Sequence, residues 1–373
     1  MPKKLKVGFV NFAPLKYDVT TPLTKPLGGS ESNLCFICIE LSKRGYDVTL
    51  YGLFDKTFKL KKVTHKDKSY LENLESEQLD YLIVQNIITE IPSINNPLVC
   101  KTKIILWQQL HTNQPATFPL EQESVRKVIS GYVFVSNWQK EKFLEKYPLD
   151  KKSCVVIKNA VSPFFEGLLP KNEPILKHKK PILAYTSAPF RGLETLLIYL
   201  FPEIKKRFPK VTLKIFSSMK TYQKTDQEDR EYKNLYDLCQ TTPGVKYCGS
   251  VPQKKLAREL KSVIALTYPN TWYETSSIAV MEAMAAGCKV ITTALGALPE
   301  TTAGFAHLIP VNDQYEKNCE LFISKTVEVL TRLKNHDRLL EKELKNQVEF
   351  CNDNYLWQKR AEEWEKVVFN AKK

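Results

Sequence analysis

Residues 267–301 read TYPNTWYETSSIAVMEAMAAGCKVITTALGALPET, and this stretch decides the fold class. An apolar run at 262–268 predicts a strand that leads into it. A helix of small residues is expected next, with Ser276 or Ser277 as its N-cap, and a second strand starts at Lys289. This order predicts a parallel βαβ unit. The helix of such a unit points its positive end at the carboxyl edge of the sheet, where phosphates bind.

Similar apolar runs recur along the whole chain, with helical patterns between them. They lie at 5–10, 47–52, 80–85, 103–108, 131–136 and 154–159 in the first half, and at 181–187, 211–217, 244–250, 262–269, 289–294 and 306–311 in the second. Most are apolar throughout rather than alternating, which predicts strands covered on both faces. The sequence therefore predicts an α/β fold made of two doubly wound, Rossmann-like parallel-sheet domains.

The domain boundaries follow from the composition of the connecting segments. We expect an N-terminal domain at 1–168 and a linker at 169–180, where prolines and a basic cluster interrupt the periodicity. A C-terminal domain is expected at 181–350. The last segment, 351–373, is expected to form a helix that packs back toward the N-terminal domain.

Composition and charge narrow the class of protein. The chain has 373 residues, of which 43% are hydrophobic and 26% charged, and this excludes disordered and membrane-spanning classes. A net charge of +14 favours an anionic partner, which leaves nucleic acid, anionic lipid and a phosphorylated small molecule open. The nine cysteines lie mostly in apolar runs, as reduced thiols do. We expect a cytoplasmic protein, and contact of the lysine-rich segment 56–68 with an inner membrane face stays open.

A glycine pair follows the first predicted strand. Gly28 and Gly29 precede an apolar helical pattern, and exposed N–H groups at such a helix start can hold an oxyanion or a sugar hydroxyl. The dinucleotide fingerprint G-x-G-x-x-G does not follow the strand, and the chain has no GK[ST] motif. Nicotinamide and P-loop chemistry are therefore not expected.

Two carboxylates flank the start of the helix predicted after Ser277. Glu274 lies in the preceding loop, and Glu282 lies inside the helix eight positions later. One can reach a ligand group in front of the helix and the other a group beside its first turns. A carboxylate accepts hydrogen bonds from sugar hydroxyls, whereas it repels phosphate. The pair predicts a site for the sugars of a nucleotide sugar.

Glu274 and Glu282 reproduce the E-x7-E signature of family 4 of the retaining nucleotide-sugar glycosyltransferases, which this chain resembles. The resemblance covers most of the chain, since GGSE, VFVSNWQK, VIKNAVSPFF, AYTSAPFRGLETLL, VKYCGSVP and GALPET fall in that family's order. It implies the GT-B fold, in which two Rossmann-like domains face a cleft.

The resemblance also implies roles for single residues. Glu282 holds the ribose hydroxyls, Glu274 lies near the donor hexose, Arg191 clamps the diphosphate, and His111 lies close to the reacting sugar. Many relatives carry two basic residues near the position of Arg191, but SAPFRG supplies one, and Lys220 is a candidate for the second contact. The implied catalytic residues are His111, Arg191 and Glu274. The implied donor-binding residues are Gly28, Gly29, Arg191, Lys220, Val245, Tyr247, Gly249, Glu274, Thr275, Ser276, Ser277 and Glu282, with the backbone at 245–249 framing the base.

The function implied is retaining transfer of a hexose from a nucleotide sugar to a hydroxyl of a glycan, glycolipid or glycoprotein, with no metal and no cofactor. UDP-glucose or a similar UDP-hexose is preferred, and GDP-mannose stays open. The alternatives are an epimerase or phosphorylase of the same fold, and a nucleic-acid-binding or DNA-glycosylating protein. Nucleic acid is the less favoured partner, because no basic stripe interleaved with aromatic residues stands out.

Overall fold

The structure is a computed structural model that describes residues 4–87 and 101–369, apart from the side chain of Asp226. The chain divides into two compact units. Within the described residues, the first unit contains 4–22, 28–87, 101–159 and 357–369, and the second contains 23–27 and 160–356.

The first unit is built around an eight-stranded sheet. Its strands are β1 (Lys6–Asn11), β2 (Asp47–Gly52), β3 (Phe58–Leu60), β4 (Val63–Asp67), β5 (Tyr81–Gln85), β6 (Lys103–Gln108), β7 (Gly131–Phe134) and β8 (Cys154–Val156). The strand order is β3-β4-β2-β1-β5-β6-β7-β8, and every pair is parallel except β3 with β4. The order reverses between β1 and β5, and all five residues of β5 are buried, as expected for a strand covered on both faces.

The second unit contains a six-stranded parallel sheet. Its strands are β9 (Lys180–Tyr185), β10 (Thr212–Ile215), β11 (Val245–Tyr247), β12 (Val263–Tyr268), β13 (Lys289–Thr293) and β14 (His307–Ile309). They lie in the order β11-β10-β9-β12-β13-β14, the doubly wound arrangement in which direction reverses between β9 and β12. In such sheets the reversal opens a crevice at the carboxyl ends of the strands, and ligands bind there.

Helices connect the strands of both units. They are α1 (Thr21–Thr24), α2 (Gly29–Lys43), α3 (Leu74–Glu77), α4 (Glu123–Lys127), α5 (Asn137–Lys146), α6 (Leu193–Thr195), α7 (Phe201–Arg207), α8 (Asp226–Asp229), α9 (Lys233–Thr241), α10 (Gln253–Leu260), α11 (Ile278–Ala285), α12 (Leu298–Thr302), α13 (Tyr315–Lys334), α14 (Arg338–Asn354) and α15 (Trp357–Glu363). A wider π-helical turn at Leu196–Leu200 joins α6 to α7. Among the helices described, none has the length and apolar character that crossing a bilayer requires.

The segment expected to be a linker is part of the second unit, which corrects that prediction. Leu169, Ile175 and Leu176 are buried in its core. The N–H groups of Ile175 and Leu176 donate to the Glu341 carboxylate at 2.8 and 2.9 Å. These apolar contacts and hydrogen bonds therefore fix 169–180 to the core of the second unit. The boundary between the units falls after Asn159.

The tail joins the first unit from Trp357, six residues later than the expected start of the final segment. Trp357 and Trp364 are both buried. The ring of Trp364 lies edge-on to Phe9 at 6.3 Å and to Trp107 at 5.5 Å between centroids. The seven-residue spacing of the two tryptophans places both on the side of the tail that packs against the unit.

Candidate active site

Two loops meet in the second unit at the carboxyl ends of β9 and β12. Gly192, in the loop after β9, has φ +99°, and a Cβ atom at this position would lie 1.9 Å from the carbonyl oxygen of Pro269 in the loop after β12. Only glycine allows this backbone conformation and this close approach without strain. The contact fixes the two loops together at the point where the strand order reverses.

Each of these loops carries one of the implied catalytic residues, and the structure brings the two side chains together. Nη1 of Arg191 donates to Oε1 of Glu274 at 2.8 Å. Burial disfavours the charge of Arg191, but the Glu274 carboxylate together with Tyr222 and Tyr268 outweighs this effect and raises the pKa of the guanidinium. The Nε atom of Arg191 is buried without a hydrogen-bond partner in the described part of the chain. The site thus holds a permanently charged guanidinium that still has donors to offer.

Tyr268, the last residue of β12, also binds the Glu274 carboxylate. Its hydroxyl donates to Oε1 at 2.6 Å and accepts from the Ser187 hydroxyl at 3.2 Å. Complete burial and the negative charge of Glu274 raise the pKa of Tyr268 well above its usual value, so it remains a donor. Two hydrogen bonds to one oxygen hold this carboxylate in a single orientation. The other oxygen, Oε2, appears in neither bond.

The main chain of Glu274 rests on the segment that the sequence gives as GALPET. The N–H of Ala297 donates to the Glu274 carbonyl at 2.7 Å. Gly296 has φ +65°, and a Cβ atom there would lie 2.4 Å from the same carbonyl oxygen. The chain after β13 therefore positions the Glu274 loop through a direct backbone contact.

Glu282, on the second turn of α11, lies in a different environment. The residue is 3% exposed, and its carboxyl accepts from the N–H of Ser162 at 3.3 Å. With its amide nitrogen turned toward Glu282, Gln253 adds contacts of 3.2 and 3.3 Å. Burial raises the pKa of Glu282 to about 8, because the charged form loses its hydration. At neutral pH the group is mostly protonated, so it can both donate and accept a hydrogen bond.

The start of α11 differs from the sequence expectation. Ser277 is at the N-cap position, but its side chain makes no capping hydrogen bond. The Ser276 hydroxyl is buried and has no partner among the described residues. Thr275 is also buried. Neither serine caps the helix, so its first-turn amides receive no acceptor from these two side chains.

The residues expected near the base and the second phosphate lie around β10 and β11. Val245 and Tyr247 belong to β11, the edge strand, and the Tyr247 hydroxyl donates to the Ser217 carbonyl at 3.0 Å. Gly249 follows with φ +61° and open space where a Cβ would lie. Lys220 is exposed on a 3-10 turn after β10, and Tyr222 of the same turn interacts electrostatically with Arg191.

The first unit holds the remaining implied residues. Gly28 and Gly29 begin α2, which has no side-chain cap. His111 follows β6; its ring stacks on Trp138 at 5.2 Å, and its Nδ1 accepts from the N–H of Asn113 at 3.3 Å. Burial lowers the pKa of His111, which favours the neutral ring with its proton on Nε2. A ring in this state has one N–H donor.

A family comparison identifies the class of enzyme. Residues 181–331 match the model of "Glycosyl transferases group 1". The chain is a glycosyltransferase. The matched range contains Arg191, Glu274, Glu282 and the whole six-stranded sheet except for the first residue of β9. No curated protein sequence matches the chain significantly.

Solved structures establish the fold. A glycosyltransferase from Rickettsia africae has 14% identity and a TM-score of 0.71, with 100% of both chains covered. Sucrose-phosphate synthase from Thermosynechococcus elongatus has 14% identity and a TM-score of 0.70 over 99% of this chain and 100% of that one. HepE from Anabaena, solved with UDP and glucose, has 12% identity and a TM-score of 0.66 over 98% and 100%. These likenesses, together with the two parallel sheets, confirm the GT-B fold.

Two hydrogen-bonded groups next to implied site residues were not foreseen. Tyr268 was assigned only to a strand, because nothing in its spacing shows that its hydroxyl reaches a carboxylate six residues later. In the first unit, Asn11 donates to Glu31 at 3.1 Å and to Gln85 at 2.8 Å, all three buried where β1 and β5 end. Polar residues at the ends of neighbouring apolar strands are the signal that could have revealed this network.

Proposed function

We propose that this glycosyltransferase moves a hexose from a nucleotide sugar to a hydroxyl of a glycan, glycolipid or glycoprotein, with retention of configuration. The observation that carries the proposal is the hydrogen bond between Arg191 and Glu274 where the strand order reverses. A cation suited to phosphate and a carboxylate suited to hydroxyls are thereby held side by side. A nucleotide sugar offers those two chemical groups in adjacent positions.

The diphosphate is assigned to Arg191 and the start of α11. A guanidinium has five N–H donors in a fixed plane, so Arg191 can keep one bond to Glu274 and still bind phosphate oxygens. The uncapped first turn of α11 offers amides and the positive end of the helix dipole. Negative charge on the leaving group would be stabilised by groups that are already in place.

The sugars are assigned to the two glutamates. Glu282 can accept from one ribose hydroxyl and, while protonated, donate to the other. Glu274 keeps Oε2 for a hexose hydroxyl, since its hydrogen bonds with Arg191 and Tyr268 both use Oε1. Carboxyl groups held in this way can recognise hydroxyls, and we do not interpret them as the acid and nucleophile of a hydrolase.

The proposed reaction follows from these assignments. The acceptor oxygen forms a bond to the anomeric carbon on the face from which the diphosphate leaves, and the bond from that carbon to the phosphate oxygen breaks. The proton of the acceptor hydroxyl passes to a departing phosphate oxygen. His111, neutral with its proton on Nε2, is proposed to donate a hydrogen bond to a sugar hydroxyl.

UDP-glucose or a similar UDP-hexose is the proposed donor, and GDP-mannose is the alternative. HepE, whose fold this chain shares, was solved with UDP and glucose. Titration calorimetry against UDP-glucose, UDP-N-acetylglucosamine, UDP-galactose and GDP-mannose separates these donors. We propose a cytoplasmic site of action, which the eight free cysteines of the described chain favour.

Replacement of Arg191 tests the central assignment. We expect Arg191→Ala to lower turnover about a hundredfold, the order expected for losing one charge-stabilising contact. Glu282→Ala should weaken donor binding. Arg258→Ala, which removes an exposed arginine from α10, is the matched control and should change neither quantity. Full activity of Arg191→Ala would remove the diphosphate assignment.

Metal independence is proposed as well. The described residues contain no group of three histidine, cysteine, aspartate or glutamate side chains that could bind a metal ion. Transfer should therefore proceed at an unchanged rate in excess EDTA. A loss of activity that magnesium or manganese restores would contradict this part of the proposal.

A further inference from the structure

The guanidinium of Arg191 lies against two aromatic rings. Its Cζ atom is 5.4 Å from the centroid of Phe190 and 5.7 Å from that of Trp272. The two rings also contact each other edge-on, at 5.3 Å and 68°. Phe190 comes from the loop after β9, and Trp272 from the loop after β12. Each residue of the pair between Arg191 and Glu274 is therefore accompanied by an aromatic residue from its own loop.

The backbone that carries these rings is held by its own hydrogen bonds. The buried Asn270 side chain accepts from the N–H of Trp272 at 3.0 Å and donates to its carbonyl. The Thr293 hydroxyl donates to the Asn270 carbonyl at 2.8 Å. These hydrogen bonds fix the main chain at Trp272, and this holds the Trp272 ring at a defined place beside the guanidinium.

Core packing does not account for this pair. The Phe190 side chain is 37% exposed, and Trp272 is only partly buried. An apolar ring kept at the surface contributes less to stability than a buried one, whereas a ring within 6 Å of a cation attracts it electrostatically. Both rings meet this distance criterion for Arg191.

The segment SAPFRG has a single basic residue, which is a reason for its guanidinium to be held by additional contacts. Arg191 is the one basic residue of that segment, and its guanidinium is paired with the Glu274 carboxylate at 2.8 Å. A long arginine side chain loses rotamer freedom when it binds phosphate, unless other contacts already fix it. Fixing one guanidinium is an alternative to supplying a second cation.

We propose that Phe190 and Trp272 are positioning residues that hold the Arg191 guanidinium in the orientation that binds the donor diphosphate. The inference rests on the proposed function, because it takes Arg191 as the diphosphate ligand. The rings themselves do not contact the reacting atoms. They act on the leaving group through Arg191 alone, so their effect must disappear when Arg191 is absent.

Titration calorimetry with UDP tests this inference. Trp272→Leu and Phe190→Leu should each weaken UDP affinity roughly twofold to thirtyfold, the range of a cation–π contact. Trp272→Phe keeps an aromatic face and should recover most of the loss. Tyr199→Leu is the matched control, because Tyr199 is 55% exposed and pairs edge-on with Tyr315 at 6.2 Å. It should leave UDP affinity unchanged.

A double-mutant cycle separates positioning from a general structural role. In an Arg191→Ala background, Trp272→Leu should cause no further loss of UDP affinity. An equal loss in both backgrounds, or unchanged affinity in both leucine variants, would overturn the inference. If Arg191→Ala itself binds UDP like the native protein, the proposed diphosphate assignment fails instead. Should Trp272→Leu fail to fold, Phe190→Leu at the more exposed ring carries the same test.

Discussion

Gly296→Ala is expected to displace Glu274 without touching any ionisable group. Gly296 has φ +65°, and the added Cβ would lie 2.4 Å from the Glu274 carbonyl oxygen and 2.8 Å from its nitrogen. Both neighbours are backbone atoms, which cannot rotate away as a side chain can. Ordinary contact begins near 3.4 Å, so the two segments must separate by about 1 Å.

Two costs follow from this substitution. An alanine in the left-handed region costs about 1–2 kcal/mol of stability, whatever surrounds it. The separation of the backbones also moves the Glu274 carboxylate away from the position where we assign a hexose hydroxyl. Loss of one hydrogen bond to a charged group is worth about 1.5–3 kcal/mol, which corresponds to roughly tenfold to hundredfold weaker binding of a UDP-hexose. UDP itself lacks the hexose, so its affinity should fall less.

Gly304→Ala is the matched control for this measurement. Gly304 has φ +84°, but a Cβ there meets no atom within 4 Å. Denaturant unfolding should show a backbone cost for both variants and an additional loss for Gly296→Ala. Calorimetry with UDP-hexose and UDP should show the selective loss only for Gly296→Ala. Equal stability and equal sugar affinity of the two variants would refute the claim that Gly296 positions Glu274.

Two further substitutions test the groups around the carboxylates. Tyr268→Phe removes the donor to Glu274 and should lower the free energy of unfolding by about 1.5–3 kcal/mol, measured in urea; a loss within error of zero would contradict a strong bond there. Glu282 should make stability depend on pH, because its pKa is about 8 when folded and near 4.5 when unfolded. Between these values the folded state keeps a proton that the unfolded chain has released, so stability falls as pH rises from about 4.5 to 8. In Glu282→Gln this fall in stability with rising pH should be absent. Equal urea midpoints of the native protein at pH 5 and 9 would contradict the raised pKa of Glu282.

The strands could be predicted because fully covered strands are apolar along their whole length. Each of the twelve predicted runs overlaps a strand, with ends that differ by up to three residues. The hairpin of β3 and β4, within 56–68, was missed and interpreted as a lysine-rich surface segment. Its strands are three and five residues long and lie at the edge of the sheet, where exposed lysines are tolerated. Within β4, the buried Val63 and His65 are the only apolar or aromatic residues that could have indicated a strand.

The resemblance to a known family identified Glu274, Glu282 and Arg191 as candidates, but not how they interact. Arg191 and Glu274 are 83 positions apart and meet only because β9 and β12 are neighbours in the sheet. Spacing within one segment cannot reveal such a contact. The pKa of Glu282 could not be predicted from the sequence either, because it depends on burial by residues from distant parts of the chain.

The ion pair between Arg191 and Glu274 and the uncapped start of α11 can both be explained by the diphosphate of the proposed ligand. Glu274 offsets the charge of Arg191, so this pair alone leaves little net positive charge for a diphosphate. The remaining stabilisation must come from the first turn of α11, and a serine cap would occupy the amides that phosphate oxygens need. The prediction of a cap at Ser276 or Ser277 was wrong, and the proposed phosphate contacts of these amides give a physical reason for it. Under the proposed function, a residue able to cap α11 would compete with the substrate, whereas aromatic contacts that orient Arg191 use none of its N–H donors.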